Sequence, residues 1–200
     1  MTAFPDSTAQ GGVARALRFG GTFALFQGAW FACVLGAARG EAELGIAAVV
    51  AAVGLLLAFS TDRGADLRLI VVSLAVGAVW DSLLARSGIV AYAAPGPLPG
   101  WAPAWILGLW ALFAVMLREP MRWLHGRPLL AALIGGAGGA LSYAAAERLG
   151  ACALPDRPRA LLVLGAGWAL MVPLLLALAQ RLDGAARPRP APSRAGGARA

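Results

Sequence analysis

Asp81 is the residue whose type and position point most directly to chemistry. It stands between Trp80 and Ser82 inside a long apolar segment, where inserting a charged side chain into a membrane costs about 2.5–3.5 kcal/mol. Such an acid needs partners within the protein, and Arg86, five residues later, cannot form an i,i+4 ion pair with it. The sequence leaves two roles open for Asp81, a functional one as acid, base or ligand contact, and a structural one as a tie between helices.

Several polar and aromatic side chains fall at the depth of Asp81 when helix rise is counted at about 1.5 Å per residue from the arginine that precedes or begins the first, third and fifth apolar segments. Trp110 and Trp168 reach a comparable level. Indole N–H and tyrosine O–H groups are donors that can satisfy a carboxyl group in either protonation state. The predicted candidate functional cluster lies slightly outside the membrane midplane and consists of Asp81, Trp80, Ser82, Gln27, Trp30, Ser142 and Tyr143.

The sequence contains no GxSxG, HExxH, P-loop or Rossmann glycine pattern, so soluble-enzyme signatures give no support for catalysis. His125 is the single histidine, and Cys33 and Cys152 do not form a CxxC pair. This inventory predicts neither a metal nor a cofactor, and it favours a binding protein over an enzyme without deciding between them. The two thiols are expected to be free and unreactive.

Small residues recur at four-residue spacing in the first apolar segment, and glycines cluster in the fifth. Such stripes let two helix backbones approach closely in a membrane, where small-xxx-small faces generally serve packing. The predicted helix-packing positions are Gly20, Gly28, Gly36, Gly135 and Gly139.

The elements that must position these residues are membrane helices. Of the 200 residues, 60% are hydrophobic and 14% are charged, and the mean hydropathy is +0.72, whereas soluble domains carry about 25% charged residues. The apolar residues form long runs, which predict an all-α, polytopic membrane helix bundle of about six transmembrane helices in residues 17–182. Residues 1–16 are expected to be an N-terminal cytoplasmic segment, and the Arg/Pro/Ala-rich residues 183–200 a disordered tail. The predicted helices are Leu17–Ala38, Leu44–Ser60, Leu67–Ala91, Pro103–Leu117, Pro128–Leu149 and Ala160–Leu182.

Arginine counts predict the orientation. All 17 basic residues are arginine; with six spans, twelve fall on the side of both termini and five on the other side. The positive-inside rule then predicts that both termini are cytoplasmic. The arginines follow apolar runs and do not form one basic face, which excludes nucleic acid and favours membrane lipids as partners; a further membrane protein stays open. Tyr92, Trp101 and Trp105 fit an outer aromatic belt.

Several motifs together resemble one protein family. They are Phe26–Gly36, Trp80–Leu84, Pro103–Phe113, Gly135–Tyr143 and Arg148–Ala151. The chain resembles, from Leu17 to about Leu182, the uncharacterised bacterial inner-membrane family catalogued as domain of unknown function 2878. It departs from the family at Ala140, where a proline is usual, and at Arg118-Glu119-Pro120, where a polar turn is usual. The resemblance implies that the protein lies in the bacterial inner membrane. Family members tend to be encoded near lipid-modifying functions, so the resemblance also implies a role in lipid chemistry.

The sequence therefore favours a component that binds or transports a lipid or an apolar metabolite, or an accessory component of a membrane lipid pathway. A single buried acid among indoles suits an amphipathic ligand with a donor head. Two alternatives stay open. One is an intramembrane enzyme that acts on acyl chains with Asp81 as acid or base, and the other is a structural subunit of a membrane complex.

Overall fold

The computed structural model describes residues 7–185, with side chains from residue 17 to residue 183. Within that range the chain forms six α-helices and one short ribbon of two antiparallel strands, so the predicted all-α bundle is confirmed. The expected tail lies mostly outside the described residues. The helices are α1 (Ser7–Ala38), α2 (Ala42–Ala58), α3 (Arg63–Arg86), α4 (Ala104–Ala114), α5 (Pro128–Arg148) and α6 (Arg157–Ala185), and the strands are β1 (Ala91–Tyr92) and β2 (Cys152–Ala153).

Two helices, α3 and α4, end earlier than predicted. The third helix ends at Arg86 and not near Ala91, since Gly88 has a φ of +69° and stops the helix in the left-handed conformation that glycine tolerates. The fourth helix ends at Ala114 and not near Leu117. Residues 115–121 form turns, and Pro120 prevents a helix from running through this segment, because it lacks an N–H and would clash with the carbonyl four residues earlier.

Four helices are long and apolar enough to cross a membrane, namely α1 from Leu17, α3, α5 and α6. α2 and α4 have 17 and 11 residues, which correspond to about 25 and 16 Å against a hydrocarbon core of about 30 Å. Large apolar side chains face outward on the long helices, for example Leu133, Leu162 and Val71. This outer surface suits lipid as the surrounding solvent.

α4 completes a crossing together with the residues that follow it. At one end the Ala102 amide donates to Ser82 Oγ at 2.9 Å, and at the other end Arg118 bonds Asp66 at 3.0 Å. Between Asp66 and Ser82, α3 rises by about 24 Å. Residues 102–118 therefore traverse nearly the full height of α3, although only part of that segment is helical.

The helices pack in the spatial order α1, α2, α4, α3, α6, α5, with α4 also touching α1. β1 and β2 pair at one end of the bundle, with Tyr92 opposite Cys152; we call this the ribbon end. The opposite end, where α1 begins and α6 ends, is the terminal end. In this order α1 and α5 are the outermost helices of the series, and they face each other across α4.

The predicted packing glycines fall into two groups. A methyl group at Gly45 would lie 2.7 Å from Cys33 Cα, and one at Gly36 would lie 3.2 Å from the Gly45 amide nitrogen, so α1 and α2 touch through backbone. Gly135 and Gly139 lie against Val172 and Trp168 of α6. A Cβ at Gly20 or Gly28 would meet no atom within 4 Å. The packing predicted at these two positions therefore does not occur within the part of the chain that the structure describes.

Arg118 joins three segments at the terminal end. It is only 4% exposed, and its guanidinium donates to Asp66 at 3.0 Å, to Asp183 at 2.7 Å and to the Asp62 carbonyl at 2.8 Å. Burial alone would lower the pKa of Arg118, but the bonds to Asp183 and Asp66 outweigh it, and the pKa is raised. Sequence reasoning assigned this arginine to the membrane surface and missed its role, since each of its acids is distant in sequence.

Because α1 and α2 touch through backbone, a leucine at Gly45 and a leucine at Gly28 should affect the stability of the protein differently. Gly45→Leu should destabilise the purified protein by roughly 1–3 kcal/mol, because the side chain has no room against Cys33. Gly28→Leu should not destabilise the isolated chain, since the position is open and leucine is the better helix former. Thermal unfolding in detergent compares the two variants. Equal losses of stability would contradict this packing, and a loss confined to Gly28→Leu would indicate that another molecule covers α1.

Candidate functional site

The Asp81 carboxyl group is fully buried and accepts three hydrogen bonds from neutral donors. Its Oδ1 accepts from the hydroxyls of Tyr92, at 2.5 Å, and Tyr143, and its Oδ2 accepts from Trp110 Nε1 at 2.6 Å. We call Asp81 with these three residues the carboxyl cage. Because the donors come from β1, α4 and α5, one side chain of α3 joins four elements.

Local sequence explains how each donor reaches Asp81. Gly77, one turn before Asp81, lies directly against the Trp110 ring, and any Cβ there would collide with the indole. Tyr92 is held at its height by the pairing of β1 with β2. Gly88 ends α3 and lets the chain turn back, so that Tyr92 can reach a residue of the preceding helix.

The titratable groups of the ribbon stay protonated. Burial raises the pKa of Tyr92 well above its usual range, and the nearby Asp81 charge and its hydrogen bond add to the shift. Burial, followed by the charge of Glu147, raises the pKa of Cys152 to about 12. Tyr92 is thus a hydrogen-bond donor at neutral pH, and the Cys152 thiol carries no thiolate for nucleophilic chemistry.

The structure divides the predicted cluster. Asp81 and Tyr143 lie together in the carboxyl cage, whereas Ser82 holds the loop before α4 and Trp80 packs against Gly167 of α6. Gln27, Trp30 and Ser142 do not touch Asp81 and line a neighbouring cleft instead.

Two members of the predicted aromatic belt are interior residues. Tyr92 belongs to the carboxyl cage, and Trp105 is only 2% exposed and donates to the Ala94 carbonyl at 3.1 Å. Trp101 is exposed, as a belt residue would be, and lies under Arg86. The sequence signal that could have identified Tyr92 is the left-handed glycine after α3, which turns the chain back over the helix end.

A cleft of about 450 Å³ lies between α1 and α5, with α4 as its floor and part of α6 at its side. It extends from Met121 and Leu124 near the terminal end to Trp105 and Ala146 near the ribbon end. The other lining residues are Phe26, Gln27, Trp30, Phe31, Val34, Ile106, Leu109, Trp110, Phe113, Ile134, Gly135, Gly138, Gly139, Leu141, Ser142, Tyr143, Ala145, Trp168 and Val172.

The cleft is aromatic and uncharged. Eight of the 23 lining residues are aromatic, half of the 16 aromatic residues in the sequence. None of the lining side chains is ionisable except the Tyr143 phenol, which donates to Asp81. Its other polar groups are the amide of Gln27, the hydroxyl of Ser142 and indole N–H groups. Such a lining suits an apolar ligand with few polar atoms.

Tyr143 and Trp110 connect the carboxyl cage to the cleft, because their rings line the cleft while their polar atoms donate to Asp81. Asp81 itself is not among the lining residues. Asp81 therefore affects the cleft only by orienting two of its lining side chains, Tyr143 and Trp110. Its oxygens already accept hydrogen bonds from protein donors. The expectation of a ligand donor bound directly to Asp81 loses its support.

Within residues 7–185, no three His, Cys, Asp or Glu side chains lie close enough together to hold a metal ion. Both cysteines are buried and free. The arrangement provides a mostly non-polar binding surface and, behind it, a hydrogen-bonded carboxyl group.

Two substitutions of Asp81 should separate shape from hydrogen bonding. Asp81→Asn retains most partners, because its amide can donate to the tyrosine oxygens and its carbonyl can accept from Trp110. Asp81→Leu leaves three buried donors unpaired, at about 1–3 kcal/mol each. Thermal unfolding in detergent should therefore rank the wild type, Asn and Leu variants in that order, with a much larger loss for Leu. A loss for Asn as large as that for Leu would contradict the cage.

Comparison with curated proteins and with solved structures gives no match. A family model described as "Protein of unknown function (DUF2878)" matches residues 21–174, more than three quarters of the 200 residues. The matched region contains the whole carboxyl cage and every residue that lines the cleft. The resemblance inferred from the sequence motifs is confirmed, and the chain belongs to the DUF2878 family.

Proposed function

We propose that this membrane protein binds a lipid or another apolar metabolite in the cleft between α1 and α5, as a binding or transport component or as an accessory component of a membrane lipid pathway. The observation that carries the proposal is the cleft itself. Its volume lies within the range of about 300–1,000 Å³ that is typical of small-molecule sites. Its lining is mostly apolar, and its polar groups carry no formal charge.

The cleft is open on the side where α1 and α5 face each other. Phe31 and Leu141 line it and are nevertheless 45% and 68% exposed. In a membrane this side faces the acyl chains of the bilayer. A ligand dissolved in the bilayer can therefore enter laterally, without passing through water.

Binding is favoured over intramembrane catalysis because of where Asp81 lies. An acid or base must come within hydrogen-bond reach of the reacting group, and Asp81 does not line the cleft. Its oxygens are engaged by Tyr92, Tyr143 and Trp110. We therefore assign Asp81 a positioning role for the cleft walls.

A structural subunit is the second candidate function, and one observation favours it. Gly20 and Gly28 lie on an exposed part of α1 with open space beside each Cβ position. A small-residue face of this kind admits a helix of another membrane protein. The Gly28→Leu variant described above separates this possibility from ligand binding, because Gly28 does not line the cleft.

We also propose that the protein lies in the bacterial inner membrane with its terminal end in the cytoplasm. The twelve-to-five arginine asymmetry supports this orientation. A GFP fusion after Ala185 should fluoresce, and alkaline phosphatase inserted at Gly96 should be active outside the cytoplasm. The same compartment for both reporters would contradict the six crossings. Opposite compartments in the reverse sense would contradict the orientation alone.

Filling the cleft should displace its ligand. Gly138 lines the cleft, and a Cβ there meets no atom within 4 Å, so Gly138→Leu adds bulk without disturbing the helix. Native mass spectrometry of the wild type in mild detergent should show a bound small molecule above the 20.4 kDa chain. The variant should retain about tenfold less, equivalent to ~1.4 kcal/mol.

Gly54→Leu is the matched control, because Gly54 is equally open but lies on α2 away from the cleft. It should retain the ligand at the wild-type level. Absence of any retained molecule from the wild type, or equal retention by both variants, would overturn the proposed site.

A further inference from the structure

We infer that the ligand of the cleft is a membrane quinone, that is, a neutral isoprenoid lipid with a flat, carbonyl-bearing ring. The inference rests on the proposed binding function and names the ligand class for the same cleft. Three properties of the lining carry it, namely its lack of charge, its aromatic content and its unpaired polar groups.

The lack of charge argues against an anionic head group inside the cleft. A carboxylate or phosphate within the hydrocarbon region needs a cation or several donors. No arginine is among the lining residues, and Arg122, the basic residue between Met121 and Leu124, already pairs with Glu119 at 2.6 Å. A neutral head group matches this lining.

The aromatic content argues for a flat ring. A saturated acyl chain needs only aliphatic walls, whereas aromatic side chains gain additional attraction from stacking on another π-system. Trp110 and Trp168 stack on each other, with ring centroids 4.8 Å apart and an interplanar angle of 11°, so one face of each indole is already covered. Trp30 lies in the α1 wall of the same cleft.

The unpaired polar groups argue for carbonyl oxygens on that ring. Gln27 and Ser142 line the cleft, and among the side-chain hydrogen bonds of the described residues none involves the Gln27 amide or the Ser142 hydroxyl. Unpaired donors in an apolar environment are costly. Quinone carbonyls accept hydrogen bonds from such donors, whereas a hydrocarbon chain leaves every one of them unpaired.

The dimensions and the opening suit an isoprenoid tail. A volume of about 450 Å³ holds a substituted ring and the beginning of a tail. The rest of the tail can pass out between Phe31 and Leu141, whose exposed surfaces border the opening. The ring is thereby retained while the tail remains in the bilayer.

The experiment titrates ubiquinone-2 into the detergent-purified full chain and follows the quenching of indole fluorescence. The wild type should show saturable quenching, because four tryptophans line the cleft. Gln27→Leu should weaken binding about three- to tenfold, the change expected for loss of one hydrogen bond. Ser142→Ala gives an independent test should the first variant fail to fold. Gln180→Leu is the matched control, since Gln180 does not line the cleft, and should bind as the wild type does.

Wild-type affinity in both Gln27→Leu and Ser142→Ala, or no saturable quenching by the quinone, would overturn the inference. A second titration with dibrominated stearic acid, whose bromine atoms also quench indoles, separates this result from failure of the proposed function. Quenching by the fatty acid that Gly138→Leu abolishes, without quenching by the quinone, would preserve the cleft as a binding site and reject the quinone. Quenching by neither probe would reject both.

Discussion

The arrangement of the bundle depends on how one buried acid is satisfied. The Asp81 carboxyl group lies where no lipid and no water can pair with it, so each of its oxygens must meet a donor from the protein. Tyr92, Tyr143 and Trp110 provide these donors from three other elements. To do so, the ribbon, α4 and α5 must each stand at one height relative to α3. A carboxyl group is thus the reference point for the vertical register of the helices.

Directional contacts matter more here than in a soluble core, because lipid is as apolar as the helix surfaces and apolar burial does not select one arrangement. Arg118 plays at the terminal end the part that Asp81 plays near the ribbon end, since it connects α3 and α6 through Asp66 and Asp183. Between these two polar contacts, close approach through glycine at the α1–α2 and α5–α6 interfaces sets the lateral spacing. The short α4 is held inside this frame and need not satisfy the length requirement of a lipid-exposed helix.

The cleft follows from the same frame. α1 is fixed by α2 and α5 is fixed by α6, so the two helices can stand apart while α4 closes the space behind them. Tyr143 and Trp110 are walls of that space and partners of Asp81 at once. The carboxyl cage and the cleft are therefore parts of one construction, in which the acid determines wall geometry and the ligand meets neutral groups only.

The sequence predicted the helices and placed Tyr143 in one cluster with Asp81, because hydropathy marks each span and helix rise places residues at comparable depth. It did not single out Tyr143 from Gln27, Trp30 and Ser142 as the partner of Asp81. It could not predict that Tyr92 and Trp105 lie inside. Aromatic residues in a loop next to a span look the same whether they anchor in the interface or turn back into the protein. Trp110 was placed at the right level without being recognised as a donor, since depth carries no information on which face of α4 meets α3.

No sequence pattern predicted the cleft, because the cleft exists only where α1 and α5 do not pack against each other. The small residues at four-residue spacing in α1 likewise did not reveal which helices pack against each other. Four-residue spacing predicted close packing at Gly20 and Gly28 as well as at Gly36, but a partner helix lies only beside Gly36. Spacing identifies a face that permits close approach, and tertiary arrangement decides whether anything uses it.

The most direct test of this account is an experimental density map of the full chain in lipid nanodiscs prepared from its native membrane. The account predicts Tyr92, Tyr143 and Trp110 around Asp81, and elongated non-protein density between α1 and α5, with its broad end beside Gln27 and Ser142. A map in which α1 packs directly against α5 and leaves no space between Trp30 and Ser142 would contradict it.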